Sequence, residues 1–126
     1  MIDRSGSMSL DDRSPQRGST GNNRICDRGY MDRLGAAYSA LYAFWTARDA
    51  ALTALAGRGG TPPRRDAYSV VLFNERASIV VQNDFTATPD QLLERLLTSH
   101  ASGGTSFDAA LERAHWLLET CWSNER

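Results

Sequence analysis

The sequence predicts an α/β domain, because stretches with strand character and stretches with helical character both occur along its 126 residues. Residues 68–73 and 77–81 are rich in β-branched and aromatic side chains, which is typical of strands. Three longer stretches repeat apolar residues at three- and four-residue steps, which indicates amphipathic helices. The chain length and a hydrophobic content of 41% suit one globular domain.

The first predicted helix begins after Asp32, a residue suited to an N-cap, and stops near Gly57. Alanines fill much of this stretch and favour the helical conformation. We expect Phe44 and Trp45 to pack together in the core. The apolar positions that recur at helical steps are Leu34, Ala37, Tyr38, Leu41, Phe44, Trp45, Leu52 and Leu55.

The two predicted strands are joined by Asn74, Glu75 and Arg76, a connection whose length suits a β-hairpin. The first strand is almost entirely apolar, which is typical of a strand that is buried on both faces.

The two remaining helices are predicted at residues 88–99 and 106–122. Thr88 and Gln91 form a capping box at the start of the second helix, with Pro89 at the first helical position. The third helix is expected to bury one apolar face, which comprises Phe107, Ala110, Leu111, Ala114, Leu117, Leu118 and Cys121.

Two polar stretches are predicted to be loops. Residues 9–29 contain Pro15, Gly18, Gly21 and Gly29 and show no helical or strand period, which indicates an inserted flexible loop. Residues 57–66 are rich in glycine, proline and arginine, and we interpret them as a solvated linker loop.

The composition excludes several classes of function. The net charge is −1, from 14 basic and 15 acidic side chains, which gives no electrostatic reason to expect binding to nucleic acid or to membrane surfaces. No apolar run approaches the ~20 residues of a membrane span. The two cysteines are too few for a disulfide framework, which favours a reducing, intracellular compartment.

Oxygen-bearing side chains alternate at the start of the chain. Asp3, Ser5 and Ser7 directly follow an apolar pair that reads as the end of a strand. A chain leaving a strand can turn three such side chains toward one point, and Mg²⁺ prefers oxygen ligands. The sequence therefore suggests a divalent-cation site, although a polar tail rich in serine and aspartate would have the same composition.

A second motif, Ser102-Gly103-Gly104-Thr105, lies just before the third helix. An Asp-x-Ser-Gly-Ser motif followed about a hundred residues later by Gly-Gly-Thr and an apolar helix resembles the von Willebrand factor A (vWA) domain. In that family the matching pieces form the metal-ion-dependent adhesion site (MIDAS). The resemblance covers nearly the whole chain apart from the loop at residues 9–29.

The resemblance implies a Rossmann-like fold with a mostly parallel central sheet, one antiparallel edge strand and flanking helices. It also implies that Mg²⁺ or Mn²⁺ binds hydroxyl oxygens and then accepts a glutamate or aspartate carboxylate from a partner protein. Such a module is not an enzyme. The implied metal residues are Asp3, acting mainly through water, Ser5, Ser7 and Thr105, while Gly103 and Gly104 allow the supporting loop to approach closely.

The sequence departs from the family pattern in one respect. The family supplies a further aspartate after the next strand, and neither Asp84 nor Asp108 occupies that position. The chain therefore reads as a partial vWA domain that lacks the C-terminal strands and helices, and as a marginally stable one. The alternative function is a structural fragment whose metal site is vestigial. Asp11 and Asp12 could bind a second cation beside the first, as acidic pairs do in some integrin relatives. Their spacing after Ser7 departs from that pattern by one residue, which makes this alternative the weaker one.

Catalysis is a third class of function. An aspartate at the end of a strand is also the nucleophile of haloacid-dehalogenase-type enzymes, which carry Asp-x-Asp, whereas Arg4 and Ser5 follow Asp3 here. The chain contains no lysine, which excludes a P-loop lysine and a Schiff base. These observations favour a binding module over an enzyme.

Overall fold

Three strands form one mixed sheet in the computed structural model, which describes residues 1–18, 20–56 and 66–125. The strands are β1 (Ile2–Asp3), β2 (Tyr68–Phe73) and β3 (Ala77–Asp84). The helices are α1 (Thr20–Asp27), α2 (Arg33–Ala56), α3 (Pro89–Leu96) and α4 (Phe107–Glu125), and a 3-10 turn spans Gly6–Ser9. The predicted α/β class is confirmed.

The strand order is β1-β2-β3, with β1 parallel to β2 and β3 antiparallel to it. Asp3 lies opposite Phe73, and Phe73 lies opposite Ala77 on its other side. The carboxyl ends of β1 and β2 therefore meet at one edge of the sheet. We call residues 74–76, which connect β2 to β3 at this edge, the hairpin tip.

Helices cover both faces of the sheet, so β2 is buried on both sides as its sequence predicts. On one face, α1, α2 and α3 share a single core with the sheet, and α4 packs on β2 and β3 at the other face. The first core comprises Ile25, Tyr30, Leu34, Tyr38, Trp45, Val70, Leu72, Val81, Leu92, Leu93, Leu96 and Leu97. Ala110 and Leu117 of α4 are also buried. No helix within the described parts of the chain is both long enough and apolar enough to cross a membrane.

The predicted helix starts are confirmed. The carboxylate of Asp32 accepts the Gly35 N–H at 2.9 Å, which is an N-cap contact for α2. Thr88 and Gln91 form the reciprocal capping box at the start of α3. The predicted stop at Gly57 and most of the predicted linker, residues 57–65, lie outside the described residues.

The prediction of a loop over residues 9–29 is wrong for residues 20–27, which form α1. The reason is tertiary packing. Gly21, which reads as a breaker, is buried, and a methyl group there would lie 2.2 Å from the Tyr42 ring, so this glycine allows α1 and α2 to approach closely. Ile25 is fully buried in the core, and Arg28 pairs with Glu94 of α3 at 2.9 Å.

Two predictions about burial are also wrong. Phe44 is 54% exposed while Trp45 is buried, because adjacent helix positions face different directions. Both rings contact the Tyr68 ring of β2, but Phe44 does so from the edge of the core. On α4, Ala110 and Leu117 are buried, and three others predicted to lie inside are exposed: Phe107, Leu111 and Leu118. The Phe107 ring nevertheless contacts that of Phe73 in β2, with centroids 5.7 Å apart. Cys121 is partly buried and Cys26 is buried, and both are free thiols.

Gly35 brings the backbone of α2 close to that of Tyr30. A methyl group at this position would lie 1.8 Å from the Tyr30 carbonyl oxygen, which belongs to the backbone and has little room to move. We expect Gly35→Ala to lower the free energy of unfolding by about 1–3 kcal/mol, as overpacking does. Urea unfolding followed by circular dichroism measures this, with the exposed Ala43→Ser as the control. Wild-type stability in Gly35→Ala would contradict the packing.

Asp84 ties the end of β3 to the start of α3. Its Oδ1 accepts the Ala87 and Thr86 N–H groups at 2.8 and 3.0 Å, and its Oδ2 accepts from Arg95 at 2.7 Å. Hydrogen bonds hold the pKa of this carboxyl below its usual value, and the bond from the Ala87 N–H has the largest effect. The Thr86 N–H and Arg95 also lower this pKa, whereas partial burial raises it. Because its folded-state pKa lies below the unfolded one, its contribution to stability is present at neutral pH and is lost as the pH falls through the folded pKa.

Asp84→Ala is therefore expected to lower the free energy of unfolding at pH 7 by about 1–3 kcal/mol, the range for hydrogen bonds to a charged group. The difference from wild type should shrink below about pH 4, where the unfolded carboxyl is protonated. Urea titrations at pH 7 and pH 3 measure both values, with the exposed Asp27→Ala as the control. An equal loss at the two pH values would show that the carboxylate charge does not contribute.

Candidate functional site

The serine motif forms a closed turn directly after β1. The carboxylate of Asp3 accepts the Ser5 N–H at 2.8 Å, and the Ser5 carbonyl accepts the Met8 N–H at 2.9 Å as the 3-10 turn begins. This turn brings the Oγ atoms of Ser5 and Ser7 to 3.2 Å from each other. Ser5 is 2% exposed, whereas Ser7 is exposed. The structure therefore brings three of the four predicted metal residues together.

The glycine-rich loop lies directly against this turn. The Gly6 N–H donates to the Gly103 carbonyl at 2.7 Å, and the Ser102 N–H donates to the Arg4 carbonyl at 2.8 Å. The Arg4 guanidinium adds hydrogen bonds to the His100 carbonyl at 3.2 Å and to the Ser102 hydroxyl at 3.3 Å. The two motifs, which lie near opposite ends of the sequence, are thus in contact through three hydrogen bonds, and a fourth joins Arg4 to His100 just before the loop.

Gly103 has a backbone conformation that only glycine adopts without strain. Its φ is 72°, and a methyl group there would lie 3.1 Å from Oε1 of Glu75 and 3.2 Å from Nδ2 of Asn74. At Gly104 a methyl group would lie 3.3 Å from the Glu75 side chain. Both glycines therefore allow the close approach that the sequence predicts for this loop.

Thr105, the fourth predicted metal residue, is exposed in the same loop. Two successive Cα steps of 3.8 Å place its Cα no more than about 7.6 Å from that of Gly103. The Gly103 carbonyl bonds Gly6, between the two serines. Thr105 therefore lies at the same edge of the sheet as Ser5 and Ser7.

Tyr38 of α2 and Tyr30, which lies between α1 and α2, anchor the segment that leads into the loop. The Tyr38 hydroxyl donates to the Ser99 carbonyl at 3.1 Å, and burial raises the pKa of Tyr38. The His100 ring stacks on the Tyr30 ring, with centroids 4.3 Å apart and an angle of 4° between the planes. His100 thus packs as a loop residue at the base of the site.

The hairpin tip contacts the glycine-rich loop, which the sequence analysis did not predict. Asn74 donates from its Nδ2 to the Ser102 carbonyl, and Glu75 accepts the Gly104 N–H. One signal could have found these residues: they directly follow β2, whose carboxyl end is expected beside that of β1.

Two other aspartates considered from the sequence, Asp12 and Asp84, are engaged elsewhere. Asp12 is held by Arg33 through two hydrogen bonds of 2.6 Å, and the first cause of its lowered pKa is this side-chain contact. Asp84 lies opposite Tyr68, at the far end of the sheet.

Acidic and metal-binding side chains are not concentrated anywhere in the described ranges. No group of three or more histidine, cysteine, aspartate or glutamate side chains there could hold a metal ion. A cation at the serine motif would therefore depend on hydroxyl oxygens together with the single carboxylate of Asp3.

No protein-family model matches the sequence, and no match was found among curated proteins. Among solved structures, the chain is similar to the crystal structure of an uncharacterized membrane-spanning protein from Vibrio fischeri, with 19% sequence identity and a TM-score of 0.61. The match covers 95% of this chain and 47% of that one, so this chain spans about half of that protein's length. At this identity the likeness shows a shared fold.

Gly103→Ala tests the conformation of the loop. Forcing a side chain into the left-handed region costs about 1–2 kcal/mol, so we expect the free energy of unfolding to fall by at least this amount. Gly29→Ala is the matched control, because Gly29 also has a positive φ, of 90°, but has open space around its Cβ position. Urea unfolding should show a larger loss at Gly103 than at Gly29. A loss at Gly103 smaller than that at Gly29 would contradict the tight approach of the hairpin tip.

Proposed function

We propose that this chain is a divalent-cation-dependent protein-interaction module with a Rossmann-like vWA fold and a MIDAS-type site. The observation that carries the proposal is the contact between the serine motif and the glycine-rich loop, through the 2.7 Å hydrogen bond from Gly6 to Gly103. This contact lies at the carboxyl ends of parallel strands, where open α/β sheets bind their ligands. The mixed sheet, with β3 as its antiparallel edge, is compatible with the proposed fold.

The donor set fits Mg²⁺ or Mn²⁺. Mg²⁺ takes octahedral oxygen ligands at 2.0–2.1 Å, so neighbouring ligand atoms lie about 2.9 Å apart, close to the spacing of the two serine oxygens. That spacing is 3.2 Å, between Oγ of Ser5 and Oγ of Ser7. In this proposal Ser5, Ser7 and Thr105 supply hydroxyl oxygens. Asp3 holds the turn through the Ser5 N–H and acts on the cation mainly through water.

The choice of hydroxyls over carboxylates explains the partner chemistry. When bound, the cation supplies a concentrated positive charge that neutral hydroxyls do not cancel. The proposed donor set includes one carboxylate, that of Asp3. Much of the positive charge therefore remains available to an anionic group of another molecule. We therefore propose a protein partner that offers a glutamate or aspartate carboxylate, and a role in binding without catalysis.

Titration of the chain with Mg²⁺ and Mn²⁺ by calorimetry tests the cation site. Ser5→Ala and Ser7→Ala are each expected to weaken cation binding by more than about tenfold, because each removes one oxygen ligand. The fold should survive, since losing one hydroxyl hydrogen bond costs about 1 kcal/mol. Ser78→Ala, which removes an exposed hydroxyl from β3, is the control and should bind as wild type does.

No saturable binding of either ion to the wild-type chain would overturn the proposal in favour of a structural fragment with a vestigial site. The partner chemistry has its own test, selection of a random peptide library on the immobilised chain. Peptides recovered in Mg²⁺ but not in EDTA should share a glutamate or aspartate, and selection of peptides without acidic residues would contradict the proposed partner.

A further inference from the structure

The hairpin tip holds the glycine-rich loop at three backbone positions around Thr105. Before Thr105, Nδ2 of Asn74 donates to the Ser102 carbonyl at 3.0 Å, and Oε1 of Glu75 accepts the Gly104 N–H at 2.9 Å. After Thr105, the Ser106 N–H donates to the Asn74 carbonyl at 2.6 Å. Two residues of a turn outside the loop therefore fix it at these three positions, in addition to its bonds with the serine motif.

The hairpin tip is itself well ordered by hydrogen bonds. The Asn74 N–H donates to the Arg76 carbonyl at 2.9 Å, and Oδ1 of Asn74 accepts the Arg76 N–H at 3.1 Å. The preceding residue, Phe73, accepts the Arg4 N–H at 2.7 Å, which joins the end of β2 to the serine motif. A turn fixed in this way keeps the glycine-rich loop, which its side chains bond, in a constant position relative to the edge of the sheet.

Glu75 differs from Asn74 because no bond within the turn engages its side chain. Its carboxylate is exposed and forms its described hydrogen bond with the backbone of Gly104. The Gly104 N–H needs an acceptor oxygen in this place, which either a carboxylate or a side-chain amide can supply. The side chain also packs along both glycines, at distances that would clash with larger residues.

We propose that Glu75 is a positioning residue for Thr105, and this inference rests on the proposed function. By holding the N–H of the preceding residue, Gly104, it fixes the peptide that sets where the Thr105 hydroxyl lies relative to Ser5 and Ser7. The role requires a hydrogen-bond acceptor of the right length and does not require the negative charge. Glu75 thus acts through the backbone of the loop and is not a ligand of the cation.

Two substitutions separate the acceptor from the charge. Glu75→Gln keeps an oxygen that can accept the Gly104 N–H, and Glu75→Ala removes it. The first readout is amide hydrogen exchange of Gly104, followed by NMR in the cation-free chain. The second readout is the Mg²⁺ affinity by calorimetry. Glu112→Ala, which removes an exposed carboxylate from the neighbouring helix α4, is the control.

We expect Glu75→Ala to speed Gly104 exchange and to weaken Mg²⁺ binding by about tenfold, the lower end of the effect of residues that orient metal ligands. Glu75→Gln and Glu112→Ala should stay close to wild type in both readouts. Wild-type exchange and affinity in Glu75→Ala would overturn the role of Glu75. Equal loss of affinity in Glu75→Gln and Glu75→Ala would also overturn it, because the charge would then be what matters.

These outcomes are distinct from failure of the proposed function. If the wild-type chain does not bind Mg²⁺, the cation site itself is wrong and the role of Glu75 is lost with it. If the wild-type chain binds Mg²⁺ and Ser5→Ala abolishes the binding, an unaffected Glu75→Ala variant would overturn only the role of Glu75.

Discussion

The hydrogen bond between the Gly6 N–H and the Gly103 carbonyl is the contact on which the candidate site depends. It joins a turn near the start of the chain to a loop that precedes the last helix, and so helps to place the serines and the threonine at the same edge of the sheet. The contact is possible because β1 pairs in parallel with β2, so that both motifs reach the same edge of the sheet. A methyl group at Gly6 would lie 3.3 Å from the Gly103 carbonyl oxygen, and one at Gly103 would lie 3.1 Å from Oε1 of Glu75, so both glycines relieve crowding.

The alternation of residues 3–5 explains how so short a strand organises this edge. Successive side chains of an extended chain point to opposite sides, so Asp3 and Ser5 share one side and Arg4 takes the other. Asp3 closes the serine turn on its own side, through the Ser5 N–H. Arg4 reaches the segment at residues 100–102 through its side chain and its carbonyl. Three consecutive residues therefore build the turn and attach the loop to it.

The sequence predicts the regular parts of this fold well, since they follow from local patterns. Strands β2 and β3, helices α2 to α4 and the capping box at Thr88 all carry such signals. Helix α1 does not, because Gly21 reads as a breaker when it is in fact the contact point with Tyr42. Leu118 shows the opposite error, because it was predicted to be buried and is exposed. Periodicity identifies the apolar positions of a helix but does not show which of them contact another element.

The same division applies to the candidate site. The residues of the two motifs are visible in the sequence because their types and spacing are unusual, and the structure brings Ser5 and Ser7 together with the loop that carries Thr105. Glu75 belongs to no such motif, and its one sequence signal is its position just after β2. Its contact with Gly104 exists only because the register of the sheet places the hairpin tip beside the loop.

The donor chemistry accounts for how such a site can be built before any ion binds. A cluster of carboxylates would repel one another without a cation, and the edge of the sheet would then depend on the ion for its stability. Here the two serine hydroxyls are within hydrogen-bond distance of each other, and the carboxylate of Asp3 is engaged by the Ser5 N–H. The buried Ser5 hydroxyl therefore has a hydrogen-bond partner inside the protein. A turn whose polar groups are already hydrogen-bonded can hold its conformation before any ligand binds. Such preorganisation lowers the free-energy cost of binding a cation and then a partner.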